Sequence, residues 1–143
     1  MAKVKVGVAG YGVIGQRLAD GVALQQDMEL LGVADAAVPL SVRALREKGM
    51  PYKFFLAAPE KREEFEKAGI PLSGSLEDLI QQVDVMLDAT SAGVGAKNRV
   101  LYEKYGKKGI FQGGEKNSVA DVFFHGYEKK KKGIGAQFLK LTS

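Results

Sequence analysis

The chain has 143 residues, of which 45% are hydrophobic and 27% charged, and its net charge is +4. These proportions are typical of one globular domain with its own core, and they argue against disorder. Cysteine is absent and histidine occurs once, at His125. We therefore exclude disulfides, cysteine nucleophiles and a two-histidine zinc site, and we predict no metal site.

The excess positive charge is concentrated in one block, Lys129–Lys132. A nucleic-acid-binding protein would spread basic residues along a face and place aromatic residues among them, so we predict no nucleic-acid partner. No apolar run approaches the roughly 20 residues that cross a bilayer, and the N-terminus lacks a signal-peptide pattern. We expect a cytoplasmic protein without a membrane partner.

Hydrophobic periodicity and turn residues predict elements in which strands and helices largely alternate. In chain order these are strand 4–9, helix 13–26, strand 28–34, helix 42–48 after an N-cap at Ser41, strand 52–58, helix 59–68, helix 76–83 after an N-cap at Ser75, strand 83–90, helix 97–105, strand 108–114, helix 118–127 and strand 136–143. This order predicts a single α/β domain over 1–143. We expect a Rossmann-type, doubly wound, mostly parallel sheet of about six strands with helices on both faces.

The first strand leads into "GYGVIG", which places Gly10, Gly12 and Gly15 in a G-x-G-x-x-G spacing. In a dinucleotide site the first glycine permits the tight turn, the second lets a pyrophosphate approach the backbone, and the third lets the helix pack closely on the strand. The pyrophosphate would lie on the N–H groups of Val13, Ile14 and Gly15, at the positive end of the helix dipole. Because Tyr11 belongs to the same turn, we assign it to the cofactor site as well.

Asp35 ends the second strand, 20 positions after Gly15. That is where a dinucleotide site places an acid to accept hydrogen bonds from the adenosine ribose. Its charge would repel a 2′-phosphate, so the sequence favours NAD over NADP. The alternatives are a glycine turn without a ligand and a methyltransferase-type site, although a G-x-G-x-G pattern fits Ile14-Gly15 poorly.

Two downstream segments, "DATSAGVGAKN" at 88–98 and "IFQGGEK" at 110–116, resemble the archaeal-type glyceraldehyde-3-phosphate dehydrogenases when taken with "GYGVIG". The resemblance extends over nearly the whole chain. It implies oxidation of glyceraldehyde 3-phosphate with NAD or NADP, an N-terminal dinucleotide domain, a C-terminal catalytic domain, and a homotetramer. It also implies that Thr90 lines the crevice beside the adenosine half, and that Gln112 and Gly113 approach the nicotinamide.

The chain departs from that family at several points. Asp35 stands where the family often has a lysine, Ser91 where a proline is expected, and the chain ends at "FLKLTS", one residue before the family's catalytic cysteine. We therefore assign no catalytic residue and expect the catalytic domain to be absent. Residues 1–143 should bind a nicotinamide cofactor without oxidising the aldehyde, and they should self-associate through an apolar face left uncovered.

Two other functions stay open at this point. One is a non-catalytic, nucleotide-sensing module that binds NAD or AMP. The other is the cofactor domain of a different two-domain enzyme, such as a semialdehyde dehydrogenase or dihydrodipicolinate reductase, because "VKVGVAGYGVIGQRL" is common to many of them.

Overall fold

The computed structural model describes residues 2–37, 43–44, 47–49, 51–112, 115–120, 122–125 and 137–141. Seven strands and four α-helices lie in these ranges. In chain order they are β1 (Val4–Ala9), α1 (Val13–Ala23), β2 (Met28–Asp35), β3 (Lys53–Leu56), α2 (Arg62–Lys67), α3 (Leu76–Gln82), β4 (Val85–Asp88), α4 (Val94–Lys104), β5 (Lys108–Gln112), β6 (Val122–His125) and β7 (Gln137–Leu141). Short 3₁₀ turns at Pro59–Lys61 and Asn117–Val119 complete the set.

All seven strands form one sheet in the order β3-β2-β1-β4-β5-β7-β6. The first five strands are parallel, and β7 runs antiparallel to both β5 and β6. From β1 the chain first builds outward through β2 and β3, and then returns to place β4 on the other side of β1. This reversal creates a crevice at the carboxyl ends of β1 and β4, which is where open α/β sheets bind ligands.

The core lies on both faces of the sheet because successive strand residues point to opposite sides. On one face Leu79, Ile80 and Tyr102 of α3 and α4 pack against the sheet. On the other face Ala19 of α1 and Phe65 of α2 do the same. The predicted doubly wound fold, with helices on both faces, is therefore confirmed.

The N-terminus of α3 is fixed by a capping box at Ser75, the N-cap that the sequence predicts. Ser75 Oγ accepts a hydrogen bond from Asp78 N at 3.2 Å, and Ser75 N donates to Asp78 Oδ2 at 2.8 Å. The bond from the Ser75 backbone lowers the pKa of the Asp78 carboxyl. Two otherwise open N–H groups are thus satisfied within four residues.

The predicted helix at 118–127 is wrong. A 3₁₀ turn at Asn117–Val119 precedes strand β6, in which Phe124 pairs with Phe138 of β7. Aromatic residues favour strands as well as buried helices, and pairing with a strand distant in the chain decides between the two. The sheet consequently has seven strands instead of about six. The predicted Ser41 cap and positions 42, 45 and 46 of the predicted helix 42–48 fall outside the described residues, as does the Lys129–Lys132 block.

Candidate cofactor site

A cleft of about 320 Å³ opens at the carboxyl ends of β1, β2 and β4. Its position is the reversal point of the strand order, so residues far apart in the chain meet there. The lining residues are Ala9, Gly10, Gly12, Ala34, Asp35, Ala36, Ala57, Leu76, Ala89, Thr90, Ser91, Val94 and Asn98. Of the residues assigned from the sequence, the cleft thus brings together two turn glycines, Asp35 and Thr90.

The three turn glycines have three different surroundings. Gly10 has a φ of +87°, and a Cβ there would lie 2.8 Å from the carbonyl oxygen of Ala89. A Cβ on Gly15 would lie 1.7 Å from the carbonyl oxygen of Gly10, whereas a Cβ on Gly12 would meet nothing within 4 Å. Gly10 and Gly15 are therefore required by the turn and by helix–strand contact. The protein's own packing gives no such reason for Gly12, which borders the cleft.

The N-terminus of α1 offers backbone donors without a competing side chain. Its N-cap is Gly12, which has no side chain to accept from the first turn, and that turn contains no acidic residue. The N–H groups of the first turn, which includes Val13, Ile14 and Gly15, have no partner within the helix. Val13 is 67% exposed and Ile14 47% exposed. This end of the helix is therefore suited to an anion.

Asp35 contacts the glycine turn directly. Its Oδ2 accepts from Tyr11 N at 2.7 Å, and its Oδ1 accepts from Ala36 N at 2.6 Å and Ala37 N at 3.3 Å. An ionised carboxylate has about four lone-pair sites, so one remains for a ligand hydroxyl. Asp35 thus has a role that the sequence did not indicate, because it ties the glycine turn to the end of β2.

Tyr11 contributes only its backbone to the turn, because its side chain points into the core. Its hydroxyl hydrogen-bonds to the Tyr52 hydroxyl, and its ring meets Phe54 edge-on at a centroid distance of 6.2 Å. Burial raises the pKa of both tyrosines above the ordinary value of 10.0. Tyr11 is therefore an anchor beneath the turn, and its side chain does not line the cleft.

Beneath Thr90 lies a polar network that sequence reasoning missed. Asp88 is only 2% exposed, and it accepts hydrogen bonds from Thr90, Asn98 and Tyr102. Burial, and then the charge of Asp88, raise the pKa of the Tyr102 hydroxyl well above 10.0. The only sequence signal for this network is an acid at the end of an otherwise apolar strand.

The two residues assigned to the nicotinamide side are Gln112 and Gly113. Gln112 is half-buried at the end of β5, where it pairs with Phe138 of β7, and it is not part of the cleft lining. Gly113 lies outside the described residues. Across the ranges that the structure describes, no three His, Cys, Asp or Glu residues are grouped as a metal site would need, and none of the helices there is long and apolar enough to cross a membrane.

Residues 4–113 match the family described as "Dihydrodipicolinate reductase, N-terminus". The chain belongs to this family. The match runs from β1 to the end of β5 and includes the whole glycine turn and the cleft described above. The chain is thus an NAD(P)-binding domain of the Rossmann type.

Curated relatives extend the likeness to nearly the whole chain. The glyceraldehyde-3-phosphate dehydrogenase of Thermococcus kodakarensis is 47% identical over 141 residues, which are 99% of this chain and 42% of the relative. The enzymes of the same name from Sulfolobus acidocaldarius and Methanothermobacter thermautotrophicus are 43% and 39% identical, over 100% and 98% of this chain and 41% of each relative. The predicted resemblance is confirmed, and the chain spans about two fifths of the length of these relatives.

Solved structures agree on the fold alone. An apo scyllo-inositol dehydrogenase from Lactobacillus casei superposes with a TM-score of 0.53 at 18% identity, covering 76% of this chain and 27% of that one. A DOX-P reductoisomerase in complex with magnesium gives a TM-score of 0.52 at 16% identity, covering 76% and 30%.

Proposed function

We propose that this chain binds NAD in the cleft, with the pyrophosphate on the first turn of α1 and the adenosine ribose on Asp35. The observation that carries the proposal is the open space at Gly12, which lines the cleft and is the N-cap of α1. A glycine that neither the turn nor the packing requires is accounted for if a ligand takes the room of a side chain. Thr90 would line the same site from β4.

We propose a preference for NAD over NADP because the negative charge of Asp35 lies at the end of β2. Asp35 is half-buried and already receives three backbone N–H groups, so its position is fixed before a ligand arrives. A 2′-phosphate on the ribose would meet this carboxylate at close range. Two negative charges about 4 Å apart repel by roughly 1–4 kcal/mol at effective dielectric constants of 80 to 20.

For the whole protein we propose the activity that the relatives' name states, with this domain supplying the cofactor to glyceraldehyde-3-phosphate oxidation. Relatives at 39–47% identity bear that name, which favours it over the reductase function in the family's description. The resemblance implies a cysteine nucleophile, and residues 1–143 contain no cysteine. They should therefore bind the cofactor without forming NADH from the aldehyde.

Isothermal titration of the 143-residue chain with NAD tests the proposal, using Gly12→Ala and Gly21→Ala as a matched pair. A Cβ at either position meets nothing within 4 Å in the protein. We expect Gly12→Ala to fold normally and lose at least tenfold in NAD affinity, because its methyl group occupies the ligand's space. Gly21→Ala, on the same helix away from the cleft, should bind like the wild type.

Each result bears on a different statement. Failure of the wild type to bind NAD or NADP at millimolar concentration would refute the cofactor site. Equal affinities of wild type and Gly12→Ala would refute the placement of the pyrophosphate. Equal affinities for NAD and NADP would refute the preference assigned to Asp35. Formation of NADH dependent on glyceraldehyde 3-phosphate would contradict the expected inactivity of residues 1–143.

A further inference from the structure

Asp88 lies directly beneath one wall of the cleft and receives four hydrogen bonds. Its Oδ1 accepts from Thr90 N at 3.1 Å and from Thr90 Oγ1 at 2.5 Å. Its Oδ2 accepts from Asn98 Nδ2 at 3.0 Å and from the Tyr102 hydroxyl at 2.6 Å. Four donors fill the acceptor capacity of a carboxylate, so Asp88 is committed to the protein and does not line the cleft.

These bonds determine which atoms Thr90 and Asn98 can offer to a ligand. A carboxylate only accepts, so the Thr90 hydroxyl must turn its hydrogen toward Asp88 and keep its lone pairs for the cleft. Asn98 is 7% exposed and directs its amide nitrogen to Asp88. Its carbonyl oxygen accepts from no residue that the structure describes. Among the described residues, every fully buried side-chain oxygen has a hydrogen-bond partner, so an oxygen without one is not fully buried. Because Asn98 lines the cleft, its side-chain oxygen is open to the cleft.

The wall formed by Thr90 and Asn98 therefore presents acceptors. The N-terminus of α1 presents backbone donors and the positive end of a dipole. A nucleotide has groups of both kinds, since its phosphates only accept hydrogen bonds whereas its ribose hydroxyls and amino groups can donate. The two sides of the cleft thus discriminate between the two ends of such a ligand.

We infer that Asp88 is a positioning residue that turns the oxygens of Thr90 and Asn98 toward the cleft, so that they receive a hydrogen-bond donor of the nucleotide, a ribose hydroxyl or an amino group, and not a phosphate. The inference rests on the proposed cofactor site and deepens it. Asp88 acts through Thr90 and Asn98, because it has no exposed surface of its own at the cleft.

The test compares Thr90→Val with Thr90→Ser in titrations with NAD. Valine preserves the shape of threonine and removes the hydroxyl oxygen, whereas serine keeps that oxygen. We expect the valine variant to bind NAD about 3- to 10-fold more weakly, the value of one hydrogen bond, and the serine variant to bind within about twofold of wild type. A purely structural role for the hydroxyl would lower the unfolding temperature of Thr90→Val without this split in affinity.

Asp88→Asn tests the positioning role, with Asp84→Asn as its control. An asparagine at position 88 would point its NH₂ group at hydrogen-bond donors, either those of Thr90 or those of Asn98 and Tyr102. Thr90 or Asn98 would then have to reorient. We expect at least a tenfold loss of NAD affinity. Asp84 precedes the same strand at its amino end, where it accepts from Lys5 N at 2.8 Å far from the cleft. Its variant should bind like the wild type.

Parallel titrations with AMP, followed by amide chemical shifts, identify the source of the donor. If Thr90→Val weakens AMP and NAD equally, the donor belongs to the adenosine half, and if only NAD is weakened it belongs to the nicotinamide half. Wild-type affinity of Thr90→Val for both ligands would overturn the inference while leaving the proposed function intact. Absence of NAD binding by the wild type would instead refute the proposed function.

Discussion

Gly15→Ala probes the closest contact in the domain, where α1 approaches the end of β1. A Cβ at this position would lie 1.7 Å from the carbonyl oxygen of Gly10, and real Cβ contacts essentially never fall below 3.0 Å. The helix must therefore move by about 1.3 Å, since the obstructing atom belongs to the backbone and cannot rotate away.

Two opposing effects determine how much Gly15→Ala changes the free energy of unfolding. Forcing a methyl group into a packed contact costs about 1–3 kcal/mol, and alanine recovers about 0.5–1 kcal/mol over glycine in a helix interior. The net loss lies between about 0 and 2.5 kcal/mol and is centred near about 1.3 kcal/mol, and this central value lowers the unfolding temperature by about 3–8 °C. NAD binding should weaken as well, because the displaced helix carries the proposed pyrophosphate donors.

Urea and thermal unfolding followed by circular dichroism measure the effect, and Gly21→Ala is the matched control. Gly21 lies in the same helix with open space around its Cα, so alanine there should raise stability by about 0.5–1 kcal/mol. A Gly15→Ala variant as stable as Gly21→Ala would refute the reasoning, because it would show that α1 does not rest on the Gly10 carbonyl.

Further predictions concern the cap, the charge, a buried tyrosine and association. Ser75→Ala removes one side of the capping box and should cost about 1 kcal/mol in urea unfolding, whereas an unchanged midpoint would contradict the cap. Asp35→Asn should narrow the gap between NAD and NADP affinities by about tenfold, since about 1.4 kcal/mol of repulsion is lost, and an unchanged ratio would count against it. The raised pKa of Tyr102 keeps it protonated in the folded state while the unfolded state loses its proton, so stability should fall above about pH 10 by up to 1.4 kcal/mol per pH unit. Tyr102→Phe should reduce that slope without abolishing it, because Tyr11 and Tyr52 also have raised pKa values, and an identical slope would refute the assignment. Sedimentation as a monomer over a wide concentration range would contradict the predicted self-association.

Local sequence signals were sufficient where the relevant bonds are local. The strand at 4–9, the glycine spacing and the N-cap at Ser75 each depend on residues within a few positions of one another, and the structure agrees with all three. Asp35 was assigned from its spacing after the glycine turn and Thr90 from the family resemblance, and the structure places both on one cleft.

Tertiary contacts decided the rest. Segment 118–127 was predicted helical, but β6 forms there because its residues pair with β7, whose position no short window reveals. The sequence indicated Tyr11 as part of the cofactor site, and the contact with Tyr52, 41 positions away, turns its side chain into the core.

By itself, the sequence determined the fold class, the glycine turn and the likeness to glyceraldehyde-3-phosphate dehydrogenases. The fold class follows from hydrophobic periodicity and the glycine turn from spacing, whereas the likeness follows from the motifs at 88–98 and 110–116. Only the tertiary structure showed that Asp35 holds the glycine turn and that Asp88 orients Thr90 and Asn98. Asp35 and Tyr11 are 24 positions apart, and Asp88 and Asn98 are 10 positions apart, so only the folded chain brings their polar atoms to 2.7 and 3.0 Å.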